Sequence, residues 1–245
     1  MIHFRTIKLN AISSTNDYLK SRVASGLCCS GDVVITSHQT AGRGQREREW
    51  ISDQGKNLTF STYWETPGFW AKDQFLITVA VSVALIQVLQ KLEVPHVGIK
   101  WPNDIMAGNS KIGGVLIENT LHGPYVGHSI IGIGINVNQE NFPGIPHASS
   151  LKLQMGREMD LHALFEDCLQ VLKSTLETPQ NWRQDSLLSS YNENLFGKQK
   201  GLRLQLESEL IDVQIRGVDP DGVPQLVLQT GEPISLSGKQ YKFVY

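Results

Sequence analysis

The chain has 245 residues, of which 40% are hydrophobic and 19% are charged, and its formal net charge at pH 7 is -2. This length can bury a sizeable core, and the composition is that of an ordinary globular protein with one large domain and room for a small one. The near-zero charge argues against a dedicated nucleic-acid-binding protein, which normally carries a basic face.

The cysteines, the N-terminus and the apolar segments indicate the compartment. Cys28 and Cys29 are adjacent, Cys168 is distant, and no C-x-x-C spacing occurs, so we expect neither a disulfide framework nor a zinc site. No secretory signal is recognisable. Residues 75–89 are uncharged but shorter than the roughly 18 residues of a membrane span, and we interpret them as a buried helix. A reducing cytoplasm fits these features best.

The N-terminal part contains a predicted edge strand at residues 4–9, a helix start at residues 13–17 and a buried strand at residues 32–36. The serine, threonine, asparagine and aspartate of residues 13–17 are preferred N-cap residues, and capping alone is the commoner explanation for them. Their hydroxyl and amide groups can also hydrogen-bond a polar, uncharged ligand.

A glycine- and arginine-rich loop follows at residues 39–50. Its distinctive residues are Gly42, Gly44, Arg43, Arg46, Arg48 and Trp50. Glycine lets a backbone approach a ligand closely, arginine presents a fork of donors to phosphate or carboxylate oxygens, and tryptophan offers a flat face to a nucleobase. The pattern predicts a mobile loop that closes on a phosphate-bearing, partly aromatic ligand. A solvated basic loop is an equally good alternative, because Glu47 and Glu49 offset much of the charge.

Two apolar strands further along carry glycines where side chains are expected. Residues 111–118 contain two adjacent glycines, and residues 130–138 alternate glycine with isoleucine. The glycines are Gly113, Gly114, Gly132 and Gly134. By period-two alternation one face of the second strand is bare backbone, and Asn136 falls on that face. Such a strip suits the floor under a flat ligand, and close packing against a helix explains it equally well.

The remaining predicted elements are a strand at residues 57–64, helices at 73–92, 160–178 and 182–192, and a short strand at 97–101 that Pro102 ends. From residue 197 the pattern changes to short alternating strands at 202–206, 211–215, 226–228 and 241–244. Several short strands in succession are typical of a small antiparallel barrel. We therefore predict domains at residues 1–195 and 196–245.

The chain lacks several familiar catalytic motifs. It contains no G-x-x-x-x-G-K-[ST], no H-E-x-x-H and no G-x-S-x-G, and its seven histidines are scattered. The remaining candidate groups are the cations Arg43, Arg46, Arg48, Lys100 and Lys111 and the turn carboxylate Asp104. This set suits nucleotidyl or phosphoryl chemistry that relies on positioning and charge stabilisation, without an enzyme nucleophile.

Five motifs in order resemble the biotin protein ligases, also called biotin–[acetyl-CoA-carboxylase] ligases. They are Ser14-Thr15-Asn16, Gln39 with Gly42-Arg43-Gly44…Arg48…Trp50, Lys100-Trp101-Pro102-Asn103-Asp104, Lys111-Ile112-Gly113-Gly114 and Gly132-Ile133-Gly134-Ile135-Asn136. The resemblance implies an α+β catalytic domain of the class II aminoacyl-tRNA synthetase-like type, with a mixed sheet flanked by helices, and a small C-terminal SH3-like β-barrel.

The resemblance also implies a two-step reaction. Biotin and ATP, with magnesium present, give biotinyl-5′-AMP and pyrophosphate, and a lysine of a biotin carboxyl carrier protein then takes the biotin. No tightly bound prosthetic group is implied. The chain begins almost directly at the catalytic domain, so we expect no helix-turn-helix and no DNA partner, no membrane partner, and a monomer or homodimer.

The motif positions imply roles for individual residues. Biotin would be bound by Ser14, Thr15, Asn16, Gln39, Gly42, Arg43, Lys111, Gly113 and Gly114. ATP and the adenylate would be bound by Arg46, Arg48, Trp50, Lys100, Asn103, Gly134 and Asn136. The catalytic groups would be Lys111, Arg48 and Asp104. Asp104 would hold magnesium or orient the incoming lysine, unless it is only a surface carboxylate in a turn.

The loop departs from the family pattern G-R-G-R-x-G-R-x-W at two positions. Gln45 replaces an arginine and Glu47 replaces a glycine. Because Gln45 keeps a donor but loses a charge, we expect the adenylate to be retained less tightly than in ligases with the arginine.

Three alternatives remain. Lipoate-protein ligases and octanoyltransferases share the related fold but lack the G-R-G loop. A non-catalytic biotin- or nucleotide-binding regulator would need no intact Lys111 or Arg48. A structural interaction module would bind neither ligand.

Overall fold

The structure, a computed structural model, describes residues 2–45, 48–182, 185–198, 201–236 and 241–244. Arg46 and Glu47 lie outside the described residues, so the prediction for Arg46 stays a prediction.

A seven-stranded sheet is the centre of the fold. Its strands are β1 (Arg5–Leu9), β2 (Asp32–Thr36), β3 (Leu58–Trp70), β4 (Val97–Lys100), β5 (Asp104–Ala107), β6 (Ser110–His122) and β7 (Tyr125–Ile135). The spatial order is β1-β2-β3-β7-β6-β5-β4, with β1 parallel to β2 and the other pairs antiparallel. The predicted edge strand is therefore confirmed. The strand predicted at residues 57–64 continues to Trp70, past an irregularity in register between Glu65 and Phe69.

Helices cover both faces of this sheet. They are α1 (Thr15–Ala24), α2 (Phe75–Lys91), α3 (Leu151–Met155), α4 (Leu161–Leu176) and α5 (Asp185–Glu193). On one face α2 packs against α4 and α5 and belongs to the main hydrophobic core. On the other face α1 contacts β3 and β7 over a small core of Leu19, Val34, Tyr63 and Ile130. The second face is thus mostly free to hold a site.

The apolar helix is a core helix. The segment Ala71–Lys91 is long and apolar enough to cross a membrane, but 67% of its most apolar window is buried inside the protein. The predicted buried helix is confirmed, and it ends at Lys91, four residues before Pro95. The helix predicted at residues 182–192 begins later, at Asp185, after a short 3-10 turn at Pro179–Asn181.

The C-terminal part forms a second, antiparallel sheet. Its strands are β8 (Leu202–Leu206), β9 (Glu209–Val218), β10 (Pro224–Leu228), β11 (Pro233–Ile234) and β12 (Tyr241–Val244), in the order β11-β10-β9-β8-β12. Within the described residues β11 and β12 are not paired, so the expected closed barrel is not confirmed. β11 has only two residues, and the sequence did not predict it. The domain boundary near Phe196 stays a prediction.

Candidate active site

Two glycines lie opposite each other in the middle of the large sheet. Gly134 of β7 pairs with Gly114 of β6, and the same row continues to Thr59 of β3 and Asp104 of β5. Residues directly opposite in antiparallel strands project to the same face. The two glycine anomalies in the sequence therefore form one bare patch, with a carboxylate at its edge.

Trp50 covers this patch. A Cβ on Gly134 would lie 2.6 Å from two atoms of the Trp50 ring, so only glycine permits this contact. In the loop of residues 39–50, called the arginine loop below, the described residues before and after positions 46 and 47 are paired: Trp50 donates its main-chain N–H to the Gly42 carbonyl at 2.9 Å, and Arg43 forms a β-bridge with Glu49. Gly42 is required because a side chain would collide with the Trp50 carbonyl. The loop thus places its tryptophan over the predicted ligand floor.

Lysines surround Asp104 beside the patch. The Lys111 ammonium is 2.5 Å from one oxygen of Asp104, and Lys100 is 3.9 Å from the other. Lys111 also lies 5.6 Å from the centre of the Trp50 ring, in cation–π contact. A Cβ on Gly114 would lie 3.6 Å from the Lys111 amine, which is an ordinary van der Waals distance, so this packing does not itself require a glycine. Lys111, Asp104 and Trp50, predicted from three separate motifs, are therefore in contact.

Lys100 holds its proton weakly. Burial is the main cause that lowers its pKa to about 8; the negative charge of Asp104 opposes this shift, and the positive charges of Lys111, Arg48 and Lys242 add to it. Arg48 is exposed and acts on this lysine only through its charge. An excess of positive charge around a single carboxylate favours an anionic ligand.

Hydroxyls and amides at the start of α1 form a second part of the site. The Gln39 amide oxygen accepts the main-chain N–H of Thr15 at 2.8 Å and its hydroxyl at 3.1 Å. The Thr15 hydroxyl also shares a 2.6 Å hydrogen bond with Ser61, which donates to the Asn16 amide oxygen at 2.6 Å. Ser14 caps α1, as the capping interpretation predicted. This network is uncharged and suits a polar, neutral ligand group.

Ser61 and Glu118 were missed by the sequence analysis. Glu118 accepts a hydrogen bond from Asn16 and forms ion pairs with Lys20 and Arg43. Ser61 lies opposite Gly132, and Glu118 lies four residues beyond Gly114 on the same strand, so both share the face of the glycines. This period-two alternation was the available signal.

Three predicted ligand residues have other contacts. The Asn103 amide donates to the Val115 carbonyl, and the Asn136 amide donates to the Ser149 carbonyl at 3.0 Å. A Cβ on Gly113 would lie 2.9 Å from the Gly134 carbonyl and 3.5 Å from Ile105, so close strand packing accounts for this glycine. Their roles toward a ligand stay predictions.

Asp104 does not make a magnesium site by itself. Among the described residues, no group of three histidine, cysteine or carboxylate side chains could hold a metal ion, and Asp104 is paired with Lys111. Magnesium needs an octahedral set of oxygens, which one ion-paired carboxylate does not supply. A cavity of about 480 Å³ between β1 and α4 lies away from all these residues.

The family model of the biotin/lipoate A/B protein ligases matches residues 9–136. This range contains all the site residues described above except Ser149 and Lys242. The chain belongs to this family. Among curated relatives, the bifunctional ligase/repressor BirA of Escherichia coli is 33% identical over 171 residues, covering 69% of this chain and 52% of that protein. The biotin--[acetyl-CoA-carboxylase] ligase of Mycobacterium tuberculosis is 34% identical over 141 residues, covering 56% of this chain and 51% of that protein. The chain thus spans about half the length of these curated relatives.

Solved structures of family members have the same fold. The biotin protein ligase of Aquifex aeolicus, in complex with biotin and ATP, superposes with a TM-score of 0.79 at 23% identity, covering 97% of this chain and 98% of that one. The Leishmania major ligase in complex with biotinyl-5-AMP gives a TM-score of 0.66 at 20% identity, covering 94% of this chain and 98% of that one.

Proposed function

We propose that this protein is an ATP-dependent biotin protein ligase, which forms biotinyl-5′-AMP and transfers biotin to a lysine of a biotin carboxyl carrier protein. The observation that carries the proposal is the position of Lys111, in contact with both Asp104 and the Trp50 ring beside the glycine patch. The names of the relatives, and the ligands of the solved structures, agree with this choice within the family.

The first step joins two anions. An oxygen of the biotin carboxylate attacks the α-phosphorus of ATP, and the bond from that phosphorus to the pyrophosphate oxygen breaks. Lys111, supported by Lys100 and Arg48, reduces the repulsion between carboxylate and phosphate and stabilises the charge that develops at phosphorus. The uncharged network of Thr15 and Gln39 is suited to the ureido ring.

The second step transfers the acyl group. The neutral amine nitrogen of a carrier lysine forms a bond to the biotinyl carbonyl carbon, the bond from that carbon to the phosphate oxygen breaks, and AMP and one amine proton are released. Asp104, at the edge of the patch, would orient the incoming lysine by accepting a hydrogen bond from its amine. The arginine loop, with Trp50 over the floor, excludes water from the mixed anhydride.

The finer features follow the same proposal. Magnesium would enter with the phosphates of ATP, because the described protein groups do not hold it alone. We infer that the C-terminal sheet corresponds to the family's SH3-like barrel, and that the protein acts in the cytoplasm.

Isotope exchange between pyrophosphate and ATP tests the first step. Exchange should require biotin, and lipoate should not support it. Lys111→Ala should reduce the exchange rate by about 100-fold or more, because it removes a cation from the reacting centre. Lys72→Ala is a matched control, since Lys72 also lies over a tryptophan, Trp70, but outside the site. Exchange with lipoate alone, or near-normal exchange in Lys111→Ala, would refute the proposal.

A further inference from the structure

Glu118 is a carboxylate of β6 that the proposed reaction leaves without a role. One of its oxygens accepts the Asn16 amide at 2.8 Å. The other accepts the Lys20 ammonium at 2.6 Å and the Arg43 guanidinium at 3.2 Å. Three elements of the fold therefore meet at this one side chain: the glycine strand β6, the helix α1 and the arginine loop.

The charge of Glu118 is maintained despite its partial burial. Burial opposes ionisation, but hydrogen bonds from Lys20 and Asn16 and the charge of Arg43 outweigh it, so the pKa of Glu118 is lower than its ordinary value. A half-buried carboxylate is costly unless it is paired, and its partners are in turn held by it. Glu118 is thus a fixed anion next to the site.

Arg43 connects this anion to the loop. Its guanidinium also binds Asp17 of α1 at 2.6 Å, so that two carboxylates hold it from the sheet and from the helix. Arg43 lies on one of the two paired segments of the arginine loop, and Trp50 lies on the other segment, over Gly134. Contacts that hold Arg43 in place therefore also hold the arginine loop in place over the glycine patch.

We propose that Glu118 is a positioning residue, which holds the arginine loop closed over the site through Arg43 and keeps Asn16 oriented. It sets the affinity for the acid substrate and the retention of the adenylate without touching either. The inference rests on the proposed function for its kinetic readout, whereas the anchoring contact can be tested without any ligand.

Limited trypsin digestion of the ligand-free protein tests the contact. The rate of cleavage after the loop arginines is monitored by mass spectrometry. We expect it to be about tenfold faster in Glu118→Gln than in wild type, because the amide keeps an acceptor for Asn16 but loses the charge that holds Arg43. Glu140→Gln, which breaks an ion pair with Lys152 elsewhere, is the control and should behave as wild type. Asp17→Asn removes the second carboxylate and repeats the test if Glu118→Gln does not fold. Equal cleavage rates in all variants would overturn the proposal.

Kinetics separate positioning from a general structural effect. In biotin-dependent exchange, Glu118→Gln should raise the KM for biotin by about tenfold and change kcat by less than about threefold. In an Arg43→Ala background the same substitution should add little, because Glu118 acts through Arg43. Fully additive effects, or a loss confined to kcat, would overturn the proposal. A wild-type protein with no biotin-dependent exchange would instead refute the proposed function and leave the digestion result to decide on Glu118.

Discussion

At the scale of single residues, Lys100 illustrates how the site accumulates positive charge. Its ammonium group is partly withdrawn from water and shares Asp104 with Lys111. Its pKa of about 8 lies below the ordinary 10.5, so between these values the folded chain binds fewer protons than the unfolded chain. The contribution of Lys100 to the free energy of unfolding therefore increases as pH rises from 8 to 10.5, while the charge it offers to a phosphate disappears.

This titration predicts a pH dependence of nucleotide binding. The KM for ATP should rise by about fivefold to tenfold as pH increases through 8, because the site loses one cation. Lys100→Arg should flatten this rise, since arginine stays protonated. The measurement is the KM for ATP in the exchange assay at several pH values from 7 to 9.5. Identical profiles for wild type and Lys100→Arg would assign the change to another group.

At the scale of elements, the strands and the glycines were predictable, but their mutual register was not. Apolar runs located β2 and β6, period-two alternation located β3 and β7, and the N-cap residues located α1. That Gly134 lies opposite Gly114 depends on long-range strand pairing, which no local pattern specifies. For the same reason the contact of Lys111 with Asp104 and Trp50 could only be suggested by family resemblance.

Other elements were missed for local reasons. β11 has only two residues, too few to show alternation. The far half of β3 contains a proline and a glycine and an irregular register, which hide its strand character. Glu118 was overlooked because a carboxylate on a strand looks like a solvated side chain until its partners on α1 and the loop are known. The effect of Gln45 on retention of the adenylate stays a prediction.

The contact between β7 and the loop can be tested by adding one methyl group. In Gly134→Ala the new Cβ would overlap the Trp50 ring, so the tryptophan must leave the floor. We expect the KM for ATP to rise by about tenfold or more, because closure of the loop is impaired, with the thermal midpoint nearly unchanged. Gly201→Ala, whose Cβ would meet only one atom, at 3.9 Å, is the control. Normal kinetics in Gly134→Ala would show that the contact of the Trp50 ring with Gly134 is not required for ATP binding.

At the scale of the whole molecule, the main hydrophobic core and the candidate site lie on opposite faces of the large sheet. One face carries α2 and the main core, and the other carries α1, the glycine patch and the arginine loop. The C-terminal sheet supports the turn beside the site: the Trp101 indole donates to the Gly222 carbonyl at 3.0 Å and stacks on Tyr241 with ring centres 6.2 Å apart. Lys242, next to Tyr241, adds its charge near Lys100. Both sheets therefore contribute to the electrostatic environment of Lys100.

The complete reaction can be measured on a carrier protein. The chain is incubated with biotin, magnesium-ATP and an isolated biotin carboxyl carrier domain, and the carrier is analysed by intact mass and peptide mapping. We predict the mass increase of one biotinyl group on a single lysine, dependent on ATP and absent when lipoate replaces biotin. An unmodified carrier with wild-type protein, or a lipoyl group added in place of biotin, would contradict the assignment.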